Sequence, residues 1–229
     1  MKRIGLLGGM SWESSVEYER LINTEVRRRL GGVSSADLII RSYNFAAIEE
    51  LQEQDRWEEA GLLLAADAFR LQEAGAEVIL LCTNTMHLVA PAIEAAIDVQ
   101  FLHLADATAA AIIAADVKRV ALLGTSYTME HGFYIERLEW AGLKVIVPGA
   151  DDRTMCHDVI FDELVKGIIR DESRSRLVSL IESLVKEGAE GVVAGCTEIE
   201  LLVGPEDVTC PYFPTTYLHA MAAVEAALA

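Results

Sequence analysis

The chain has 229 residues, enough for one large domain or two small ones, and its 52% hydrophobic and 24% charged composition is typical of a folded globular protein. A formal net charge of -17 repels phosphate backbones and anionic lipid, which argues against nucleic acid or a membrane surface as a partner. No apolar stretch approaches the roughly 20 residues that a membrane helix needs, and the short N-terminal apolar run is typical of a buried strand rather than a signal peptide.

The cysteines are few and widely spaced. None forms a CxxC pair, which argues against a zinc site and against a secreted disulfide scaffold. We therefore expect free thiols, a reducing cytoplasm and no metal for the four cysteines Cys82, Cys156, Cys196 and Cys210.

Short runs of β-branched residues and leucine alternate along the chain with longer amphipathic stretches. This rhythm predicts parallel sheets covered by helices. Helices are predicted over 12–30, where Ser11 is a plausible N-cap and Gly31-Gly32 a stop, and over 55–74 and 173–186. The predicted strands are 3–7, 37–43, 78–82, 119–123, 143–147 and 191–194.

Two segments resemble each other at an offset of 113 positions: AGAEVILLCTNT at 74–85 and EGAEGVVAGCTE at 187–198. A weaker echo pairs IGLLGGMSW near Ile4 with VALLGTSYTM near Val120. The repeat predicts two doubly wound α/β halves of like topology that meet near 98–101. Such halves are expected to face one another across a cleft, with ligands beyond the carboxyl ends of the strands.

The offset pairs Cys196 with Thr83 and not with Cys82. Because side chains alternate faces along a strand, Cys82 and Thr83 are expected to point in different directions. If Cys196 faces the ligand, its counterpart is the Thr83 hydroxyl, and Cys82 packs inward as a small hydrophobe. A lone cysteine at a strand end is more often structural. Polar residues that follow corresponding strands in two related halves nevertheless favour a shared site.

This arrangement suits proton transfer on both faces of one carbon atom. Racemising an amino acid without a cofactor needs an acid and a base on opposite sides of the α-carbon. A cysteine serves as the base once nearby donors lower its pKa from about 8.5. Helix starts that follow the strands, at Asn84-Thr85 and Thr197-Glu198, can hold a carboxylate and stabilise charge that develops on it.

At these residues the sequence resembles the aspartate/glutamate racemase family. The resemblance rests on GLLGGMSWESS, LCTNTMH, ALLGTSYTME and AGCTEIELL, in order over essentially the whole chain. It implies two flavodoxin-like parallel-sheet halves related by a pseudo-twofold axis, with the site in the cleft, in a homodimer that uses neither metal nor pyridoxal phosphate. It also implies that the helical tail 212–229 returns to the first half, giving domains of 1–98 plus 211–229 and 99–210.

One position departs from the family pattern. Family members typically carry one catalytic cysteine in each half, whereas Thr83 stands here where the first cysteine belongs and Cys196 matches the second. The CTNTMH signature resembles a subgroup expected to act on acidic L-amino acids, with the remaining cysteine removing the proton of the L-substrate. Because threonine is a far weaker acid than cysteine, we expect faster turnover from the L enantiomer than from the D enantiomer.

The resemblance implies further contacts with the substrate. Met10 and Ser11 resemble residues that line the cleft, and Gln52 resembles a contact to the side-chain carboxylate. Lys166 resembles a cation for the distal carboxylate, although a solvated helix lysine is about as plausible. Thr125 and Thr128 mirror the first loop and are expected either to donate to the ligand or to cap a helix.

Other chemically capable residues are interpreted as structural. A histidine beside an apolar segment usually belongs to the core or supports a neighbouring group, and the tryptophans have the helical spacing of packing anchors. This interpretation covers His87, His103, Cys156, Cys210, Trp12, Trp57 and Trp140.

Two alternatives remain open from the sequence. The same scaffold could support a hydantoin racemase, or a lyase or isomerase that uses a single cysteine on another carboxylate. The chain could also be a non-catalytic carboxylate-binding protein in which Thr83 marks a decayed site.

Overall fold

The computed structural model describes the whole chain, Met1 to Ala229. It contains eight strands, in two sheets of four. The strands are β1 (Ile4–Gly8), β2 (Leu38–Ser42), β3 (Val78–Leu81), β4 (Gln100–Leu102), β5 (Arg119–Gly124), β6 (Lys144–Ile146), β7 (Gly191–Gly195) and β8 (Tyr212–Pro214).

Eleven α-helices connect and cover these strands. They are α1 (Trp12–Leu30), α2 (Phe45–Glu53), α3 (Trp57–Glu73), α4 (Ala90–Glu94), α5 (Leu104–Ala114), α6 (Ser126–Glu130), α7 (Gly132–Trp140), α8 (Ala150–Asp158), α9 (Asp171–Lys186), α10 (Thr197–Leu202) and α11 (Thr215–Leu228). Short 3-10 helices span Thr85–Val89, Leu164–Lys166 and Pro205–Asp207, and a π-helical turn spans Val159–Glu163.

The two sheets repeat one topology. The first has the order β2-β1-β3-β4 and the second β6-β5-β7-β8, and every strand pair is parallel. Each strand of the first sheet therefore has a counterpart four strands later in the second. The predicted α/β class, with two parallel-sheet halves of flavodoxin-like type, is confirmed.

The chain divides into two compact units: Met1–Leu104 with Thr216–Ala229, and Ala105–Thr215. These borders lie a few residues beyond the expected ones at 98 and 210. The reason is strand pairing, because β4 adds to β3 of the first sheet and β8 adds to β7 of the second. The last strand thus stays with the second unit, and a helix rather than a strand carries the chain back to the first.

In the first unit both faces of the sheet are covered. Alternate residues of β1 and β3 enter opposite clusters: Leu7, Ile79 and Leu81 pack with α2 and α3 on one face, while Ile4, Leu6, Val78 and Leu80 pack with α1 and α11 on the other. This alternation follows from the two-residue period of a strand. The next residue in the second series is Cys82, fully buried in the same cluster.

The second unit is built around one large cluster. Ala121 and Leu123 of β5 and Val192 and Ala194 of β7 pack there with apolar residues of α8 and α9. Cys156 and Cys196 belong to the same cluster, and all four cysteines of the chain are free.

Three expectations about individual segments are wrong. Residues 212–214 form β8 and not the start of a helix, because they pair with 192–194. Trp12 and Trp140 are 62% and 80% exposed and anchor no core, whereas Trp57 does pack against the first unit's interior. Both exposed indoles lie on the outward side of a helix end, a position that helical spacing alone does not distinguish.

None of the helices combines the length and the apolar character needed to cross a bilayer.

Candidate active site

The central strands of each sheet end at the point where the strand order reverses. In the first unit these are β1 and β3, and in the second β5 and β7. Open α/β sheets bind ligands beyond the carboxyl ends of such strands. All the site residues predicted from the sequence, except Gln52 and Lys166, follow one of these four strands within a few positions.

The loop after β1 is tightly constrained. Gly9 has a φ of 86°, and a Cβ there would overlap the backbone nitrogen and oxygen of Tyr43. The Gly9 amide donates to the Ser15 hydroxyl at 2.6 Å, which fixes the loop against α1. Met10 and Ser11 follow, both buried.

Ser11 caps α1 as predicted. Its hydroxyl accepts a hydrogen bond from the Ser14 amide at 3.3 Å. Thr125 does the same for α6, accepting from the Thr128 amide at 3.3 Å, and the two threonine hydroxyls lie 3.2 Å apart. The loops after β1 and β5 therefore repeat one capping geometry, which places two buried hydroxyls at the end of a central strand in each unit.

After β3, the register inferred from the repeat holds. Cys82 is fully buried, and this burial raises the pKa of its thiol. Thr83, the next residue, is partly exposed. Asn84 and Thr85 are buried at the start of the 3-10 helix that follows.

Gln52 reaches this segment from α2. Its side-chain amide donates to the sulfur of Met86 at 3.0 Å, and Gln52 is 5% exposed. Met86 lies three residues after Thr83 in the CTNTMH segment. The structure thus brings Gln52 to the end of β3 within the first unit.

After β7, Cys196 forms a short contact with an acid. Its thiol donates to Oε2 of Glu198 at 2.9 Å, and both residues are 7% exposed. Burial, the negative charge of Glu198 and this hydrogen bond raise the pKa of Cys196 well above its usual range, against the opposing effect of the Glu198 and Ile199 amides. The expectation of a lowered thiol pKa is therefore wrong for the free chain, because burial and the neighbouring carboxylate outweigh the helix-start amides.

Lys166 lies on the surface. Its ammonium pairs with Asp162 at 3.1 Å, and its side chain is 56% exposed. The 3-10 helix that carries it packs against α10, the helix that begins after Cys196. The backbone of Lys166 therefore lies near the end of β7, while its ammonium group pairs with Asp162.

Two histidines beside these strand ends were not predicted to take part. His87, interpreted as a core residue, binds the carbonyl of Thr83 through Nδ1 at 2.7 Å. His157 of α8 accepts a hydrogen bond from the Ser126 amide at 3.4 Å, and burial lowers its pKa. The sequence contained a signal only for His87, the last residue of the CTNTMH segment. Among the described side chains, no group of three or more His, Cys, Asp or Glu residues is arranged to hold a metal ion.

The fold and the strand-end residues define a duplicated α/β protein in which equivalent strand ends of the two units carry chemically capable groups. The sequence profile of the Asp/Glu/Hydantoin racemase family matches residues 7–223. The chain belongs to this family, whose racemases are isomerases.

Solved structures agree with this assignment. A candidate Asp/Glu racemase from Yersinia pestis shares 48% identity over 100% of both chains, with a TM-score of 0.94. An aspartate racemase homologue from Pyrococcus horikoshii OT3 shares 35% identity over 100% of both chains, with a TM-score of 0.86. The aspartate racemase of Picrophilus torridus shares 18% identity, covering 99% of this chain and 94% of its own with a TM-score of 0.77, and at that identity the likeness shows the fold alone.

Proposed function

We propose that the protein racemises acidic amino acids by moving the α-proton between the two faces of the α-carbon, without a cofactor. The observation that carries this proposal is the Cys196–Glu198 pair after β7, at the position that corresponds to Thr83 after β3. The names of the relatives support the substrate class, since the structures from Yersinia pestis and Pyrococcus horikoshii are a candidate Asp/Glu racemase and an aspartate racemase homologue.

Cys196 is proposed as the base for the L-substrate, with Glu198 taking its proton first. The raised pKa of Cys196 favours the thiol in the free enzyme, and the Glu198 carboxylate 2.9 Å from the sulfur is placed to take its proton. The thiolate then removes the α-proton, which restores the thiol and leaves a carbanion. A substrate ammonium group close to the sulfur would favour this step by offsetting the negative charge of the pair.

Thr83 is proposed to serve the opposite face, where its hydroxyl delivers a proton to the carbanion and regains one from water. The hydroxide that remains takes the proton that Glu198 received from Cys196, which restores the starting state. A hydroxyl is a weak acid, which makes this side slower. The two enantiomers have equal free energies, so kcat/KM must be the same in both directions. The expected L preference therefore appears as a higher kcat from the L-substrate, matched by a higher KM.

Substrate contacts are proposed for the remaining predicted residues. Buried hydroxyls and amides at the strand ends suit a carboxylate and the charge that develops on it during carbanion formation. The side chains proposed for these contacts are those of Ser11, Asn84, Thr85, Thr125, Thr128 and Thr197. Met10 and Glu198 are proposed to contribute their backbone amides.

The distal carboxylate is assigned to Gln52 and Lys166. Gln52 presents an amide beside the end of β3. The exposed ion pair of Lys166 with Asp162 is worth at most about 1 kcal/mol, so Lys166 can exchange that partner for a substrate at little cost. We also propose a homodimer in a reducing cytoplasm, which the family resemblance and the four free cysteines support.

The test is incubation of the purified protein with L-aspartate or L-glutamate in deuterated water, without pyridoxal phosphate. We expect α-deuterium in the substrate pool and formation of the D enantiomer by chiral chromatography. The Cys196→Ala variant should keep ligand binding and lose both signals. No α-deuterium with either amino acid contradicts the proposal, and ligand binding without turnover in the unaltered protein indicates a binding protein instead.

A further inference from the structure

We propose that His87 is a positioning residue that fixes the backbone of Thr83. Its imidazole makes two hydrogen bonds to backbone groups: Nδ1 lies 2.7 Å from the carbonyl oxygen of Thr83, and Nε2 lies 3.2 Å from the amide nitrogen of Leu104. The catalytic consequence rests on the proposed function, whereas the backbone contact does not.

The two partners define the protonation state of the ring. A carbonyl only accepts, so Nδ1 must carry a proton, and the Leu104 amide only donates, so Nε2 must be free of one. His87 is therefore neutral, with the Nδ1–H tautomer. Leu104 begins α5, and amides in the first turn of a helix have no partner within it. The ring thus joins the end of β3 to the first residue of that helix.

The ring itself is held in place by its surroundings. His87 is 1% exposed, and the His103 ring packs edge-on against it with centroids 4.5 Å apart. Phe101 and His219 contribute ring contacts at 6.0 Å and 5.9 Å. Because the imidazole cannot turn freely among these rings, it holds the Thr83 carbonyl in one direction.

Thr83 is held at its other end as well. Its amide donates to the carbonyl of Leu81 at 2.9 Å, so both backbone polar groups of Thr83 are engaged. The direction of the hydroxyl depends on this backbone. A displacement of about 1 Å at a catalytic group can cost about a hundredfold in rate, which gives the contact with His87 a functional consequence.

A matched pair of substitutions separates the two contacts. In His87→Asn the side-chain NH2 lies near the position of Nδ1 and can still donate to Thr83. In His87→Gln the longer side chain places its oxygen near Nε2 and can still accept from Leu104. Both variants bury a neutral amide and each keeps one contact, so a purely structural role predicts similar effects from both.

The activity readout is the ratio of α-deuterium gained by the remaining L-substrate to D-product formed in deuterated water. His87→Gln misplaces Thr83, so the carbanion returns more often to the L face and the ratio rises about tenfold. His87→Asn should stay within about twofold of the unaltered protein. Equal ratios in the two variants overturn the proposal.

Nuclear magnetic resonance decides the backbone contact independently of activity. In the unaltered protein, nitrogen shifts of His87 should give a protonated Nδ1 and an unprotonated Nε2, and the opposite tautomer or a doubly protonated ring overturns the proposal. The Thr83 carbonyl carbon should shift in His87→Gln and stay in place in His87→Asn. If the unaltered protein neither exchanges nor racemises, the proposed function fails, and these shifts alone decide the role of His87.

Discussion

At the scale of single residues, the proposed chemistry depends on one proton between Cys196 and Glu198. Cys196 and Glu198 are both buried, with Sγ and Oε2 2.9 Å apart, and burial together with the charge of Glu198 opposes ionisation of the Cys196 thiol. The helix-start amides of Glu198 and Ile199 favour the thiolate, but they do not offset burial and the carboxylate. In the proposed mechanism the proton therefore stays on the sulfur of Cys196 until a substrate binds.

Glu198→Gln removes the carboxylate charge and keeps a hydrogen-bond acceptor. Because the charge of Glu198 raises the pKa of Cys196, the variant should form its thiolate at lower pH than the unaltered protein. It also lacks a group that can take the thiol proton during the reaction, so racemisation should fall by about a hundredfold. The pH dependence of thiolate absorbance and the chiral assay measure the two effects.

The chain has three other thiols, which also absorb as thiolates. Cys196→Ala and the double variant Cys196→Ala/Glu198→Gln measure the absorbance of those three thiols, which is subtracted to leave that of Cys196. Glu198→Asp is the activity control, since a shorter acid retains the charge. A thiol in Glu198→Gln that titrates at the same pH as in the unaltered protein, or higher, would show that the carboxylate does not control it.

Thr83→Cys restores an acidic group on the second face. A thiol delivers and removes protons more readily than a hydroxyl. We expect kcat from the D-substrate to rise by about tenfold relative to kcat from the L-substrate, while kcat/KM remains equal in the two directions. Thr83→Ser, which keeps the hydroxyl, should preserve the original bias. A D-to-L ratio of kcat that does not change in Thr83→Cys would contradict a proton-transfer role for this position.

At the scale of elements, local signals predicted the long segments well. The bounds of α1 agree with the prediction at both ends, because Ser11 caps it and Gly31 follows it with a φ of 76°. The short strands β4 and β8 were missed because neither contains a β-branched residue, whereas the equally short β6 lies in a run of them at 143–147 and was predicted. Their pairing partners are far away in the chain, and only the sheet reveals them.

The loop after β1 tests how strictly the backbone is constrained. In Gly9→Ala a methyl group would meet both the nitrogen and the oxygen of Tyr43, in a conformation that alanine already disfavours. We expect the free energy of unfolding to fall by about 3 kcal/mol or more. Urea denaturation followed by circular dichroism measures this loss.

Gly31→Ala is the matched control, because Gly31 also has a positive φ but a Cβ there meets nothing within 4 Å. It should cost about 1 kcal/mol, the conformational penalty alone. Similar losses in the two variants would mean that the contact with Tyr43 adds nothing. Substitution at Gly9 should also lower activity, since Met10 and Ser11 are the next residues in the chain.

At the scale of the whole molecule, the repeat predicted which strand-end residues of the two units correspond, but it did not predict the pKa values or the hydrogen-bond partners of those residues. An offset of 113 positions aligned Thr83 with Cys196 and assigned Cys82 to the interior, where the structure places it. The raised pKa of Cys196 and the contact between His87 and Thr83 depend on side chains brought together by folding. Sequence spacing contains no information on how deeply those groups are buried.

A buried histidine of the C-terminal helix is expected to make the first unit sensitive to acid. His219 of α11 donates to the Leu102 carbonyl and accepts from the Tyr18 hydroxyl, each at 2.8 Å, and is fully buried. Burial lowers the pKa of His219 to about 4, against the smaller opposing effect of the Leu102 carbonyl. In the unfolded chain a histidine titrates near pH 6.5.

Because the folded pKa lies below the unfolded one, unfolding takes up a proton between these values. Stability from His219 is therefore complete above about pH 6.5 and is lost as the pH falls towards about 4, by about 3 kcal/mol in total. His219→Gln can still donate to Leu102 but does not titrate. The variant should have a lower free energy of unfolding than the unaltered protein at about pH 7.5, and this difference should shrink steadily below about pH 6.5. Urea unfolding of both proteins across this range measures the difference, and a gap that stays constant down to about pH 4.5 would show that His219 is not the group that takes up the proton.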